Sequence, residues 1–166
     1  IQTTGEKGTP PVSISGQQKL HGIHYDLPMP SAQVKSGILF AGLWAEGETS
    51  VTEPEPTRDH TERMLRAFGY EVKTEGHKIS LIGGGKLVGT EIQVPSDISS
   101  AAFFMVGAAI TQNSDVLLEA VGINPTRTGI IEILKQMGAD LTVENERIAG
   151  GEPIADIHIR GSRTLK

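Results

Sequence analysis

The sequence predicts an α/β protein, layered in the α+β manner and built from two copies of a βαβαββ unit. Two observations predict it. The tripeptide Pro-Thr-Arg occurs in "PEPTRDHTE" at 54–62 and again in "INPTRTGII" at 123–131, and Pro56 and Pro125 lie 69 residues apart. At the same offset, without a gap, Ile23 falls on Ile92, Ser31-Ala32 on Ser100-Ala101, Leu65 on Leu134, Gly69 on Gly138 and Glu75 on Glu144, while Met64/Ile133 and Val72/Leu141 stay apolar. Self-similarity at one offset over about fifty positions marks a duplicated unit, although the period is longer than that of common solenoids. Within each copy, helical and strand periodicities interleave, so one sheet with helices packed on it is expected in each.

In the first copy, "HGIHYDLP" alternates like a half-buried strand. "SAQVKSGILFAGLWAEG" then places Val34, Ile38, Ala41 and Leu43 near helical spacing, with a serine suited to the N-cap and Gly47 as the stop. The strand "TSVTEPE" follows, then a helix with "TRDHTE" in its first turn before Met64, Leu65 and Phe68, a stop at Gly69, and the strands "YEVKTE" and "KISLIG". The second copy repeats this order with "TEIQVP", "DISSAAFFMVGAAIT", "DVLLEAVG", "TRTGIIEILKQMG", "ADLTVEN" and "ADIHIRG". The glycines at 83–85 and "KLVGT" make the seam, with the units spanning 22–83 and 91–160.

At 166 residues and 17.7 kDa, with 37% hydrophobic and 21% charged residues, the composition is that of a globular protein. A net charge of −5 with no compensating basic stretch argues against a general nucleic-acid or anionic-membrane surface, and leaves room for a local basic pocket. No cysteine means no disulfide and no thiolate metal site, which suits a reducing cytosol. No apolar run approaches the length of a membrane span. "IQTTGEKGTPPVSISG" reads as a polar connection followed by a short strand, and the chain stops at "RGSRTLK" just after a strand pattern. We expect a piece of a longer protein.

"GGGK" at 83–86 lacks the glycine spacing, the Lys-Ser/Thr pair and the following helix of a phosphate loop, so it reads as a turn. His21 and His24 would share a helical face but sit on a strand pattern, and no third ligand follows at metal spacing. In "RDHTE", Asp59 and Glu62 fit the positive helix N-terminus with Thr57 as cap, against the alternative of acid–base chemistry. In "MPSAQVKSG", Ser31 and Gln33 begin a helix, where free N–H groups favour an anion. Should Arg58 open its own helix at the same sheet edge, two helix N-termini and a guanidinium would converge on one phosphate; simple capping is the other reading.

"SAQVKSGILFAGL", "EPEPTRDHTERML", "PSDISSAAFF" and "NPTRTGIIEILKQMGADL", in that order, closely resemble the central part of the 5-enolpyruvylshikimate-3-phosphate synthase family (3-phosphoshikimate 1-carboxyvinyltransferase), of the bacterial type with Ser-Ala-Gln rather than Ser-Ser-Gln. The resemblance covers nearly the whole chain. It implies the enolpyruvyl transferase fold, an inside-out α/β barrel of two domains with three βαβαββ units each, joined by two crossing strands. Residues 1–94 would then be part of the shikimate-phosphate-binding domain and 95–166 part of the second domain, with a hinge near 85–97.

The activity implied is transfer of the enolpyruvyl group of phosphoenolpyruvate to the 5-hydroxyl of shikimate 3-phosphate, on the route to chorismate and the aromatic amino acids, in the cytoplasm, with no cofactor and no metal. The partners implied are the two small-molecule substrates, with no nucleic acid and no membrane, and a monomer as the full-length enzyme. Carried over by motif, Ser31 and Ala32 match the pair at the shikimate phosphate, Gln33 the glutamine that touches both shikimate 3-phosphate and phosphoenolpyruvate, and Arg58 an arginine on the same phosphate. The second Pro-Thr-Arg lacks the glutamine, because Gln33 corresponds to Ala102, so Thr126-Arg127 is expected to be a cap and corner left by duplication. The family's catalytic lysines, arginines and acidic base fall outside this chain. No catalytic residue is therefore assigned here, and the fragment alone is expected to be inactive. The alternatives are a sugar-nucleotide enolpyruvyl transferase of the same fold, whose motifs are not recognised here, and a non-catalytic phosphate-binding or scaffold module.

Overall fold

The computed structural model describes residues 2–16, 19–161 and 165. A short antiparallel hairpin, β1 (Gln2–Thr3) and β2 (Val12–Ser13), precedes the first unit. The expected strand at "HGIHYDLP" is split in two. β3 (Leu20–His21) pairs in parallel with β5 (Ala45–Glu46), while β4 (His24–Asp26) pairs in parallel with β6 (Glu48–Thr52). Between β4 and β6 runs α1 (Ala32–Gly42); α2 (His60–Ala67) follows β6, and the antiparallel strands β7 (Lys73–Glu75) and β8 (Lys78–Ile82) close a sheet of order β4-β6-β8-β7.

The second unit has α3 (Ile98–Ile110), β9 (Asp115–Gly122), α4 (Gly129–Gln136), β10 (Asp140–Ala149) and β11 (Glu152–Arg160), with sheet order β10-β11-β9. "TEIQVP" is not the strand expected. Only Ser96 bridges Val121, its N–H donating to Ala120 O at 2.9 Å and its carbonyl accepting from Gly122 N–H at 2.9 Å. Pro95 has no N–H to extend such a ladder. With that bridge as the edge, the order is bridge, β9, β11, β10, which is the order of β4, β6, β8 and β7. The offset of 69 residues ends in the last hairpin, whose two-glycine turn at Gly150-Gly151 joins strands of ten and nine residues, against three and five in the first unit.

Each unit carries its own apolar core. One gathers Leu39, Leu65, Tyr70, Val72, Ile79 and Leu81; the other Met105, Val121, Ile131, Leu134, Ile157 and Ile159. Two expectations about α1 are corrected. It ends at Gly42, not Gly47, because Leu43 N–H and Trp44 N–H turn back onto Phe40 O and Ala41 O (3.2 Å each), and a side chain at Gly42 would strike Thr49 of β6. Its buried stripe is Lys35, Leu39 and Gly42, while Val34 and Ala41 are exposed. The stripe is displaced because Lys35 is drawn inward by two carboxylates.

The two helix stops are the same structure. Gly69 (φ 76°) and Gly138 (φ 84°) donate to Arg66 O (2.9 Å) and Lys135 O (3.0 Å), and the next N–H groups, of Tyr70 and Ala139, reach Leu65 O and Leu134 O at 2.9 Å. This is the paired 5→2 and 6→1 closure that needs a left-handed residue after the helix. Gly69→Ala and Gly138→Ala should each lower stability by about 1–2 kcal/mol, measured by urea unfolding. An unchanged midpoint for either would show that the left-handed corner carries no such constraint.

Candidate functional site

The first turn of α1 and the segment leading into α2 meet at one edge of the first sheet. A groove of about 460 Å³ there is lined by Pro30, Ser31, Ala32, Gln33, Pro56, Thr57 and Arg58, and on its far side by Thr126 and Arg127. All four residues carried over by motif, Ser31, Ala32, Gln33 and Arg58, thus line one opening. Ser31 is the N-cap of α1. Its Oγ accepts from Val34 N–H at 3.3 Å, and the first intrahelical bond is Lys35 N–H to Ser31 O at 3.1 Å. The N–H groups of Ala32 and Gln33 therefore lie ahead of the helix ladder, at its positive end. Arg58 is exposed and makes no hydrogen bond or ion pair with the described residues. Although the chain as a whole is acidic, the only charged groups in the groove's lining are two guanidinium groups.

Below the groove, Lys35 lies between two acids. Its Nζ stands 2.7 Å from Glu62 Oε1 and 3.1 Å from Glu53 Oε2, and Lys35, Glu53 and Glu62 are only 1%, 4% and 2% exposed. The other Glu53 oxygen accepts from Thr57 Oγ1–H. This corrects one expectation. Thr57 does not cap α2: Asp59 occupies the N-cap without a side-chain cap bond, and the Thr57 hydroxyl is already engaged by Glu53. Glu62 does lie in the first turn of α2 as expected, and it is buried against Lys35. One ammonium thus joins α1, the end of β6 and α2, and through Glu53 it fixes the residue just before Arg58.

Asp59 has a different task. Its Oδ2 accepts from Arg63 Nε at 2.9 Å and its Oδ1 from Asn124 Nδ2 at 2.7 Å. Burial acts to raise its pKa, but the bonds from Arg63 and Asn124 and the charge of Arg63 outweigh burial and hold it below the ordinary value. Thr126-Arg127 does form a corner, yet it caps nothing on α4, whose N-cap is Thr128 without a side-chain bond. Arg127 instead reaches back to the start of α3, bonding Ser99 Oγ and Asp97 Oδ1 (3.3 Å). The Ser99 N–H first, then the Arg127 charge, hold Asp97 below its usual range. Sequence reasoning missed Lys35, Glu53, Asn124 and Glu152. The one signal available was a lysine one residue off the apolar stripe of α1.

Among the described residues no group of histidine and acidic side chains is arranged to hold a metal ion, and no helix is long and apolar enough to cross a membrane. Two related sheets, each with two helices, and a groove whose only charged lining groups are two guanidinium groups define a repeat-built α/β protein. The chain belongs to the EPSP synthase (3-phosphoshikimate 1-carboxyvinyltransferase) family, whose model matches residues 1–162. It is 60% identical over 159 residues to a 3-phosphoshikimate 1-carboxyvinyltransferase of Alkalilimnicola ehrlichii and 61% identical over 163 residues to one of Nitrosococcus oceani, covering 96% and 98% of this chain. It spans 36% of the length of both relatives. A solved EPSP synthase from Acinetobacter baumannii superposes with a TM-score of 0.92 at 90% identity, over 99% of this chain and 38% of that one.

Two outcomes follow from the buried groups. Lys35→Met leaves two carboxylates facing each other without a counter-charge and should cost about 3–5 kcal/mol in urea unfolding, most of it regained when Glu53→Gln and Glu62→Leu are added. A mild effect of Lys35→Met alone would contradict the ion-pair account. For Asp59 the folded pKa lies below the unfolded value, so its stabilisation is complete above that value, near 3.8, and is lost as pH falls through the folded one. Asp59→Asn should therefore flatten the decline of stability below about pH 4; an acid limb identical to the parent's would refute it.

Proposed function

We propose that the full-length protein carrying this chain transfers the enolpyruvyl group of phosphoenolpyruvate to the 5-hydroxyl of shikimate 3-phosphate. In that transfer the 5-hydroxyl oxygen becomes bonded to the enol carbon, and phosphate leaves that carbon. The groove described above takes the phosphate of shikimate 3-phosphate. The observation that carries this reading is the convergence of Ser31, Ala32, Gln33 and Arg58 on one opening with no carboxylate in its lining. The family membership and the name of the relatives support the same substrate.

Each group has a role that its geometry allows. The Ser31 Oγ uses a lone pair on Val34 N–H, so its own proton is available to a phosphate oxygen. The N–H groups at 32 and 33 add backbone donors at the helix end. Arg58 supplies a planar fork for two phosphate oxygens and breaks no existing ion pair to do so. Gln33, exposed at the mouth, carries both a donor and an acceptor and is assigned to both substrates.

Within this reading, residues up to 94 belong to the domain that holds shikimate 3-phosphate, and those from 95 to the domain that closes on it, with the hinge near 85–97. Separate sheets and separate cores on either side of that stretch support the division.

Charge-assisted contacts to phosphate contribute about 1.5–3 kcal/mol each. In the full-length protein, Arg58→Ala should weaken shikimate 3-phosphate binding by roughly ten- to a hundredfold in calorimetry, while Lys73→Ala on β7, away from the groove, should leave it unchanged. Equal, mild effects of the two substitutions would overturn the assignment of Arg58. Tight binding of a sugar nucleotide in place of shikimate 3-phosphate would overturn the substrate.

A further inference from the structure

The two units touch through a small polar cluster. Asn124, on the loop after β9, is 2% exposed, and all its amide valences are used. Its Oδ1 accepts from the Thr126 N–H (3.0 Å) and from Thr126 Oγ1 (2.7 Å), both within its own loop. Its Nδ2 donates to Asp59 Oδ1 of the first unit (2.7 Å) and to Glu152 Oε2 at the start of β11 (3.2 Å). The other Glu152 oxygen lies 2.8 Å from His60 Nδ1 of α2. One amide and two carboxylates therefore fasten the start of α2 to the second unit.

Besides this cluster, α2 meets the second unit where the Gly151 turn lies against it, close enough that an added Cβ would come within 3.0 Å of Arg63 O and 3.3 Å of Ala67 Cβ. The two apolar cores share no residue, and beside the cluster lies a cleft of about 230 Å³ along the crossing segment, lined by Met64, Pro95, Ile98 and Gly122 among others. An interface without a filled apolar centre leaves the relative orientation of its two sides to specific polar contacts. The cluster is also covalently next to both walls of the groove. Arg58 precedes Asp59 in the chain, and Asn124 binds Thr126, which with Arg127 forms the opposite wall.

We propose that Asn124 is a positioning residue that sets the angle between the two units, and with it the gap between the Arg58 wall and the Thr126–Arg127 wall. The bond to Asp59 is the adjustable half of the fastening, because the bonds to Thr126 stay within one loop. Losing Asp59 should loosen the relative orientation of the units, which the Glu152–His60 contact and the Gly151 turn against α2 still join, while each keeps its fold. A buried amide left with a donor unsatisfied is costly, so Asn124 holds the orientation that supplies the Asp59 carboxylate, the Glu152 carboxylate being on its own unit.

The test is a distance measurement between the units. The 166 residues contain no cysteine, so spin labels can be placed on cysteines introduced at exposed Glu71 and Glu146 in the full-length protein, with any cysteine elsewhere in it replaced by serine, and the distance read by pulsed electron resonance. Measured without ligand and with saturating shikimate 3-phosphate, the parent should give a narrow distribution in the state in which the units are fastened. Asn124→Leu and Asp59→Leu should lose it to a broad or shifted one, with circular dichroism unchanged. The exchanged pair Asp59→Asn with Asn124→Asp, made together with Glu152→Gln so that no two carboxylates face each other, restores an amide-to-carboxylate bond in the opposite sense and should recover much of the narrow distribution. Should Asn124→Leu fail to fold, Asp59→Leu decides alone, since it leaves the loop of Asn124 intact. A parent-like distance in Asp59→Leu would overturn the proposal, as would an exchanged pair no better than either single variant.

Discussion

The first unit depends on the ammonium of Lys35. Bringing Lys35, Glu53 and Glu62 out of water carries a penalty of several kcal/mol for each ion, which only close pairing offsets. The pairing at 2.7 and 3.1 Å leaves one more carboxylate than ammonium inside, and Glu62 Oε2 has no hydrogen-bond partner among the described residues. Such an arrangement adds little net stability but is specific, since α1, β6 and α2 must each be in place for any of the three charges to be tolerable. It lies beneath the two chain segments that line the groove. The position of Arg58 relative to Ser31 follows from where Glu53 sits between Lys35 and Thr57.

The duplicated unit shows that this is not a requirement of the fold. At the 69-residue offset, Ile131 of α4 stands where Glu62 stands in α2, and it is equally buried, at 3% against 2%. Gly122 replaces Glu53, and Phe104, exposed on α3, replaces Lys35. The second unit thus has no ion cluster at those positions, and of the three only Ile131 is a buried apolar side chain. A sheet with two helices can be built either way, and the ionic version occurs in the unit whose helix starts carry Ser31, Gln33 and an unpaired Arg58. Stability alone favours the apolar version. The ionic one fixes the relation between two helix ends, which is what a site spanning both of them needs.

Much of this fold was legible in the sequence because its signals are local. β9 coincides with "DVLLEAVG", both helix-stopping glycines are where left-handed corners occur, and the fixed offset reveals two related units. The candidate site was legible only as residue types at helix starts. What stayed hidden depends on contacts distant in the chain. Lys35 reads as a surface residue until Glu53 and Glu62, 18 and 27 positions on, are seen to fold over it. Asn124 reads as a turn former before proline, and its partner Asp59 is 65 residues away. The strand expected at "TEIQVP" failed for a related reason: the alternation is present, but a ladder needs N–H groups and a partner along its length, and only Ser96 finds one.

The two Pro-Thr-Arg tripeptides show how little sequence separates a free guanidinium from a tied one. Each threonine hydroxyl donates to a polar residue before it, Thr57 to Glu53 and Thr126 to Asn124, although these two partners do not correspond at the offset. The arginines differ. Arg127 is held by Asp97 and Ser99, the residues that open α3. At the offset of 69, Asp97 corresponds to Pro28 and Ser99 to Pro30. Proline has no side-chain acceptor, so the segment opening α1 has nothing at those two positions with which to engage Arg58. The guanidinium that this leaves unpaired faces the start of α1, where free N–H groups repel a cation unless an anion lies between them. Two prolines in place of an aspartate and a serine thus leave this corner without the internal partners that its copy has, which is what the proposed phosphate site at Arg58 requires.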